Sequence, residues 1–254
     1  MPSNGMPSER SFFLTHTLQD LLVEIQRVYK AYDRPWVVGY SGGKDSTTTL
    51  QLVWQALAAL PPAERTNKVF VISSDTQVET PVIVEHVDRT LRLIDEAAQR
   101  LDMPFLPVKV IPELDDSFWV NLIGRGYPAP TSRFRWCTER LKIKPANRFI
   151  SEKVAQYGEV IMVLGVRRTE SATRMQLMST YEVQGQLLRR HSSLSGAYVY
   201  APIAEFSTAD VWTYLLQTPS PWGASNRDLA ALYKSAGGGE CPLVIDTSTP
   251  SCGS

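Results

Sequence analysis

The chain has 254 residues, 43% of them apolar and 20% charged, with 26 Lys and Arg balanced by 26 Asp and Glu. That length suits one large domain, or a domain with an elaborated end, at roughly 150 residues per domain. No apolar run approaches the ~20 residues that span a bilayer, which excludes an integral membrane protein built of spanning helices. Zero net charge excludes a tail-driven polyanion binder, so contact with nucleic acid would require a local basic patch.

Residues 1–10 are polar with Pro and Gly and read as a disordered lead-in. They lack the basic-then-apolar pattern of a secretory signal, so a cytoplasmic protein is expected. Over residues 12–32, Leu14, Leu18, Leu21, Leu22, Ile25, Val28 and Tyr29 recur at three- and four-residue steps, the pattern of an amphipathic helix closed by Pro35. WVVGY (36–40) then reads as a strand, SGGKDS (41–46) as a glycine turn and 47–60 as a helix. The alternation continues with strand 69–73, helix 82–101, strand 105–110, a helix around 117–123, helix 144–157 and strand 160–166.

Continuously apolar strands between crossover helices predict an α/β fold, a doubly wound parallel sheet with helices on both faces. Ligands of such sheets sit beyond the carboxyl ends of the strands. After Ser171 the pattern weakens into a polar stretch to Ser195, a strand over 197–203, a helix over 209–217 and a turn-rich tail with a helix over 227–235. The expected organisation is a nucleotide-binding core over 11–195 and a C-terminal substrate or cluster region over 196–254.

Gly42 and Gly43 lie between a strand and a helix, where missing side chains let backbone N–H groups approach a ligand. The helix dipole points at the same place, and Ser41, Ser46 and Lys44 add hydroxyls and a positive charge, so an anion is expected there. Ser73, Asp75 and Thr76 follow the second strand, as nucleotide contacts or as an N-cap. Gly165, Arg167, Arg168, Glu170, Ser171 and Arg174 follow the strand that starts at Val160. Guanidinium groups there suit phosphate, with a solvated surface as the alternative.

Three cysteines, Cys137, Cys241 and Cys252, are poor disulfide arithmetic in a reducing compartment and suit metal, cluster or reactive-thiol chemistry, or a buried core. From Arg125 to Arg148, seven basic residues face one acid, Glu139. Arg133, Arg135, Arg140, Lys142 and Lys144 are the candidate contacts to a DNA backbone, with Phe134 and Trp136 available to stack on a base; a solvated face is equally compatible. His16, His86 and His191 have no partner at metal-ligand spacing and are assigned to core or surface.

SGGKDS resembles the PP-loop of ATP pyrophosphatases. Together with SSDTQVET, WCTERLKIKP and GVRRTESATR it is similar in order and spacing to the phosphoadenosine phosphosulfate reductase superfamily. The tail PWGASNRDLAALYKSAGGGECPLVIDTSTPSCG resembles the DndC family, the sulfurtransferases of bacterial DNA phosphorothioation. GECPLV stands where dedicated sulfonucleotide reductases carry ECG followed by Leu or Ile and His.

The resemblance implies an adenine nucleotide alpha hydrolase-like fold that splits ATP, with magnesium, into AMP and pyrophosphate. Carried over, Lys44, Asp45 and Arg168 are catalytic, and Ser41, Gly42, Gly43, Lys44, Asp45, Ser46, Ser73, Asp75, Gly165 and Arg167 bind ATP. It further implies adenylation of a DNA backbone phosphate and replacement of a non-bridging oxygen by sulfur. A partner cysteine desulfurase supplies that sulfur, beside other components of a phosphorothioation complex. An iron-sulfur cluster is implied for the longer proteins of the family, with Cys137, Cys241 and Cys252 as an incomplete ligand set here. The chain is therefore expected to stop inside the cluster-binding segment, and Cys137 could instead accept sulfur or pack in the core. A sulfonucleotide reductase, a tRNA-thiolating PP-loop enzyme and a non-catalytic nucleotide-binding scaffold remain the alternatives.

Overall fold

In the computed structural model, which describes residues 11–131, 134–168 and 187–235, the apolar runs form strands β1 (Trp36–Gly39), β2 (Val69–Ser74), β3 (Phe105–Val110), β4 (Val160–Val163), β5 (Arg189–Arg190) and β6 (Ala197–Tyr200). The helices are α1 (Leu18–Ala31), α2 (Lys44–Ala58), α3 (Pro81–Arg100), α4 (Lys144–Tyr157), α5 (Thr208–Gln217) and α6 (Asn226–Ser235). One sheet runs in the order β3-β2-β1-β4-β6-β5. All neighbouring strands are parallel except β5, which pairs antiparallel with β6.

The predicted α/β sheet is therefore present, with one correction: its outer edge is antiparallel. Arg189–Arg190 carries no apolar alternation, and only backbone pairing with Val199 and Tyr198 makes it a strand. β6 pairs with β4 from Val160↔Ala197 to Val163↔Tyr200, so residues on both sides of position 195 share this sheet.

Side chains alternate across a strand, and both faces of β1 are covered. Trp36 and Val38 enter a large cluster with Leu21 and Ile25 of α1, Leu50 and Trp54 of α2, Leu91 and Ile94 of α3, Val211 of α5 and Leu229 of α6. Val37 joins Phe70, Ile72, Val160 and Met162 under Ile150 of α4 on the opposite face. Trp54 stacks on Phe105 at 4.5 Å and meets Trp222 edge-on at 5.8 Å, which ties the C-terminal segment into the main core.

Local chemistry sets the element ends. Capping boxes open α1 (Thr17 with Asp20) and α5 (Ser207 with Asp210). Asp210 also accepts from the Phe12 N–H and the Ser11 hydroxyl, fastening residue 11 to α5. One helical reading changes character. Residues around 117–123 form a 3₁₀ turn, Leu114–Asp116, followed by a π-helical turn, Val120–Gly124, and a second π-helical turn, Thr138–Ile143, runs into α4. β4 stops at Val163, three residues short of the predicted strand, because residues 164–168 leave the sheet to meet the glycine loop.

Candidate active site

The strand order places the site. From β1 the chain steps through β2 to β3 on one side, while β4, β6 and β5 lie on the other, so β1 and β4 are neighbours whose connections diverge. A crevice opens at such a switch point, beyond the carboxyl ends. β1 delivers residues 40–46 to it and β4 delivers 164–168.

Two glycines are required there. Gly42 has φ +77°, and a Cβ on it would lie 2.8 Å from Val87 Cγ2. A Cβ on Gly165 would lie 2.7 Å from the Asp45 carbonyl oxygen and 2.9 Å from the Ser46 nitrogen, so the two loops touch backbone to backbone. Gly43 is the N-cap of α2 and, having no side chain, supplies no cap of its own to the first N–H groups of the helix. Ser46 Oγ donates to the Gly43 carbonyl at 3.1 Å and accepts from the Ser41 N–H at 3.2 Å, and the two serine hydroxyls lie 3.1 Å apart.

Asp45 is buried, and both its oxygens are engaged. Oδ1 accepts from Arg167 Nε at 2.7 Å, and Oδ2 lies 3.1 Å from Lys44 Nζ. Arg167, itself buried, also donates to Thr208 Oγ1 at 3.0 Å at the start of α5. A carboxylate out of water demands such partners, and here they join the β1 loop, the β4 loop and α5 in one knot.

The remaining candidates divide. Ser41, Gly42, Gly43, Lys44, Asp45, Ser46, Gly165 and Arg167 come together. Arg168 does not join them; it faces outward and pairs with Glu205 at 2.9 Å. Ser73 is buried at the end of β2. Asp75 turns toward β3: burial acts to raise its carboxyl, but the Lys109 ammonium at 2.9 Å and the Gln77 N–H hold it below the usual range.

Cys137 packs among Phe118, Trp136 and Leu141. Cys241, Cys252, Arg133, Glu170, Ser171 and Arg174 lie outside the described residues. Among the described residues no three or more His, Cys, Asp or Glu converge as a metal site. Asp45, already bound by two cations, does not fit a protein-held magnesium ion, and the described residues supply a single thiol toward an iron-sulfur cluster.

The basic stretch is balanced in space by acids from the preceding segment. Arg140 and Lys144 converge on Asp116, Arg148 meets Glu113, Arg125 lies 3.7 Å from Asp115, and Lys142 lies 3.4 Å from Glu79. Burial alone would raise the Asp116 carboxyl, but Lys144 and Arg140 hold it low. Arg135 is partly exposed. Trp136 is not available for stacking on a base: it is buried against Phe118, ring centroids 5.4 Å apart, with Nε1 donating to the Pro128 carbonyl. Phe134 is exposed.

Three contacts escape sequence reasoning. His86 of α3 lies against Gly42; its Nε2 is buried without a partner of hydrogen-bonding geometry, and burial lowers the imidazole pKa. Tyr233 of α6 accepts from the Lys44 N–H at 3.1 Å, with the Lys44 ammonium 5.2 Å from its ring centroid. Gln51 and Asn226 form a buried amide pair at 2.7 Å between α2 and α6. A lone histidine or tyrosine on an amphipathic helix carries no spacing signal, and a buried Gln inside an apolar helix was the one available clue.

Residues 35–223 match the phosphoadenosine phosphosulfate reductase domain family. An uncharacterized protein of Methanocaldococcus jannaschii is 26% identical over 198 residues, covering 78% of this chain and 35% of that protein. The chain thus spans about a third of the length of the curated relative it matches. Similar solved structures include the phosphoadenylyl-sulfate reductase of Candida auris in a phosphate complex (15% identity, TM-score 0.48, 87% of each chain). The U34-tRNA thiolase of Methanococcus maripaludis with its 4Fe–4S cluster is 13% identical at TM-score 0.48, over 92% of this chain and 79% of that one. The NH3-dependent NAD synthetase of Campylobacter jejuni is 14% identical at TM-score 0.46, over 88% and 86%.

Proposed function

The chain belongs to the phosphoadenosine phosphosulfate reductase domain family, and within it we propose an ATP pyrophosphatase that adenylates a DNA backbone phosphate for sulfur transfer. The observation that carries the reading is the loop at the β1–β4 crevice, where the N-cap of α2 is a glycine with no side chain to cap the helix and Lys44 is held by the buried Asp45–Arg167 pair.

A phosphodiester oxygen attacks the α-phosphorus of ATP, and the bond to pyrophosphate breaks. Negative charge grows on the departing pyrophosphate, and the loop N–H groups, the dipole of α2 and Lys44 stabilise it more in the transition state than in bound ATP. Asp45 acts in this scheme as the group that positions Lys44 and Arg167, not as a base, since both its oxygens are engaged. A sulfur nucleophile then attacks the DNA phosphorus, and AMP leaves carrying the former non-bridging oxygen. Magnesium, when it arrives on the triphosphate, neutralises phosphate charge. The cysteine desulfurase, the other complex components and the cluster belong to the same proposal, as does a cytoplasmic setting. Among the described residues no helix is long and apolar enough to cross a membrane. The GECPLV tail supports the DNA target through its resemblance to the DndC family.

Labelled ATP, with AMP and ADP resolved, tests the reading. AMP and pyrophosphate are expected, and Lys44→Ala is expected to slow their release by a larger factor than it weakens ATP binding. ADP as the product, or equal loss of both properties, would sink it. The family match itself also favours a sulfonucleotide reductase. Under that reading the sulfonucleotide is reduced and ATP is left intact, while tight ATP binding without turnover would favour a scaffold.

A further inference from the structure

On α2, Lys44 and Gln51 are seven residues apart, and on α6 so are Asn226 and Tyr233. Gln51 meets Asn226 and Lys44 meets Tyr233, so α6 lies antiparallel along about the first two turns of α2. One end is pinned inside the protein: Asn226 also donates to the Leu215 and Thr218 carbonyls at 2.9 Å. At the other end the Tyr233 hydroxyl reaches the glycine loop. It accepts from the Lys44 N–H, and it lies 3.1 Å from where a Cβ on Gly43 would sit.

The Lys44 N–H is the first of the helical donors that an anion at this loop would use. One N–H makes one well-aligned hydrogen bond, so a phosphate oxygen and the phenol oxygen compete for it. We infer that Tyr233 is a displaceable occupant of the nucleotide loop: a phosphate group takes the Lys44 N–H from its hydroxyl, and filling the loop thereby moves the C-terminal end of α6. This rests on the reading of the loop as a triphosphate site. The Lys44 ammonium keeps a place near the Tyr233 ring, so the ring positions Lys44 while the hydroxyl competes. Trp212 of α5 meets that ring edge-on at 5.2 Å and reports its movement.

The test is titration calorimetry with inorganic pyrophosphate and with ATP on the wild-type chain, Tyr233→Phe and Lys44→Ala. It is joined by tryptophan emission during the same titration, with Trp212→Phe subtracted. Tyr233→Phe keeps the ring and removes the competing oxygen, so pyrophosphate should bind about three- to tenfold tighter, the equivalent of one neutral hydrogen bond. Trp212 emission should change as pyrophosphate saturates the unaltered tyrosine. Equal or weaker binding by Tyr233→Phe, with Lys44→Ala still losing affinity, overturns the role of Tyr233 and leaves the loop reading standing. Absence of binding in every form overturns both. The emission measurement leaves Tyr233 in place, so if Tyr233→Phe does not fold, a constant Trp212 signal at saturation is the overturning result.

Discussion

Asp45 and Asp116 are each held by two cations, yet they sit in different physical regimes. The Asp45 side chain is 4% exposed, with Arg167 at 4% and Lys44 at 10%. Asp116 is 16% exposed, and its partners Arg140 and Lys144 are 22% and 49% exposed. In the first group, desolvation makes each charge depend on the others, and the ion pairs fix which loops meet. In the second, water screens the pairs, so they add little to stability and open at small cost. The same residue types thus build a rigid crevice at the switch point and an exchangeable charged surface on the π-helical lobe.

The sharpest way to break this comparison is Arg167→Ala, which leaves the Asp45 carboxylate buried with one of its two cations. A loss of about 3–5 kcal/mol in denaturant unfolding is expected, together with loss of the proposed AMP and pyrophosphate release. A cost as small as that of an exposed pair would erase the distinction.

A smaller effect separates the two regions by pH. Burial depresses the His86 pKa from its ordinary 6.5, so the folded state favours neutral imidazole. Its contribution is fully present above pH 6.5 and declines as pH falls below that value, because the unfolded chain takes up the proton more readily. Asp116 is depressed from 3.8, so its contribution is present above pH 3.8 and is lost only in stronger acid, as pH passes its lower folded value. Unfolding measured from pH 8 to pH 3 should show the first decline in the wild type and not in His86→Gln. An identical profile for both forms would assign the decline elsewhere.

Smallest in stability is Lys144→Ala, expected to change unfolding by less than about 1 kcal/mol. If the proposed DNA contact is made there, the same change weakens DNA binding across all sequences and lowers the salt slope by about one. An unchanged salt slope would remove Lys144 from that contact.

Legibility in the sequence followed the range of the forces involved. The glycine loop could be read because its chemistry is local: a strand, two glycines, a lysine and a helix start occupy eleven consecutive positions from Trp36 to Ser46. The main strands could be read because burial on both faces leaves continuous apolar runs. The antiparallel edge at Arg189–Arg190 could not, since backbone pairing leaves no trace in side-chain pattern. The π-helical turn Val120–Gly124 was legible only as a helix around 117–123, and the one at Thr138–Ile143 was silent, since side-chain pattern does not separate a single π-helical turn from an α-helical one.

What the order of residues determined by itself was the α/β alternation and a glycine loop between the first strand and its helix, because hydrophobic periodicity and glycine chemistry act over a few neighbouring positions. Only the tertiary structure decided that Arg167, and not the adjacent Arg168, turns inward to Asp45. It alone brought Glu113 and Asp116 against the basic stretch, and His86 and Tyr233 against the loop. Those choices depend on where β4 ends and how helices far apart in the chain pack together. Burial, which sets the strength of every charge contact, is a property of the packed molecule and not of any stretch of chain.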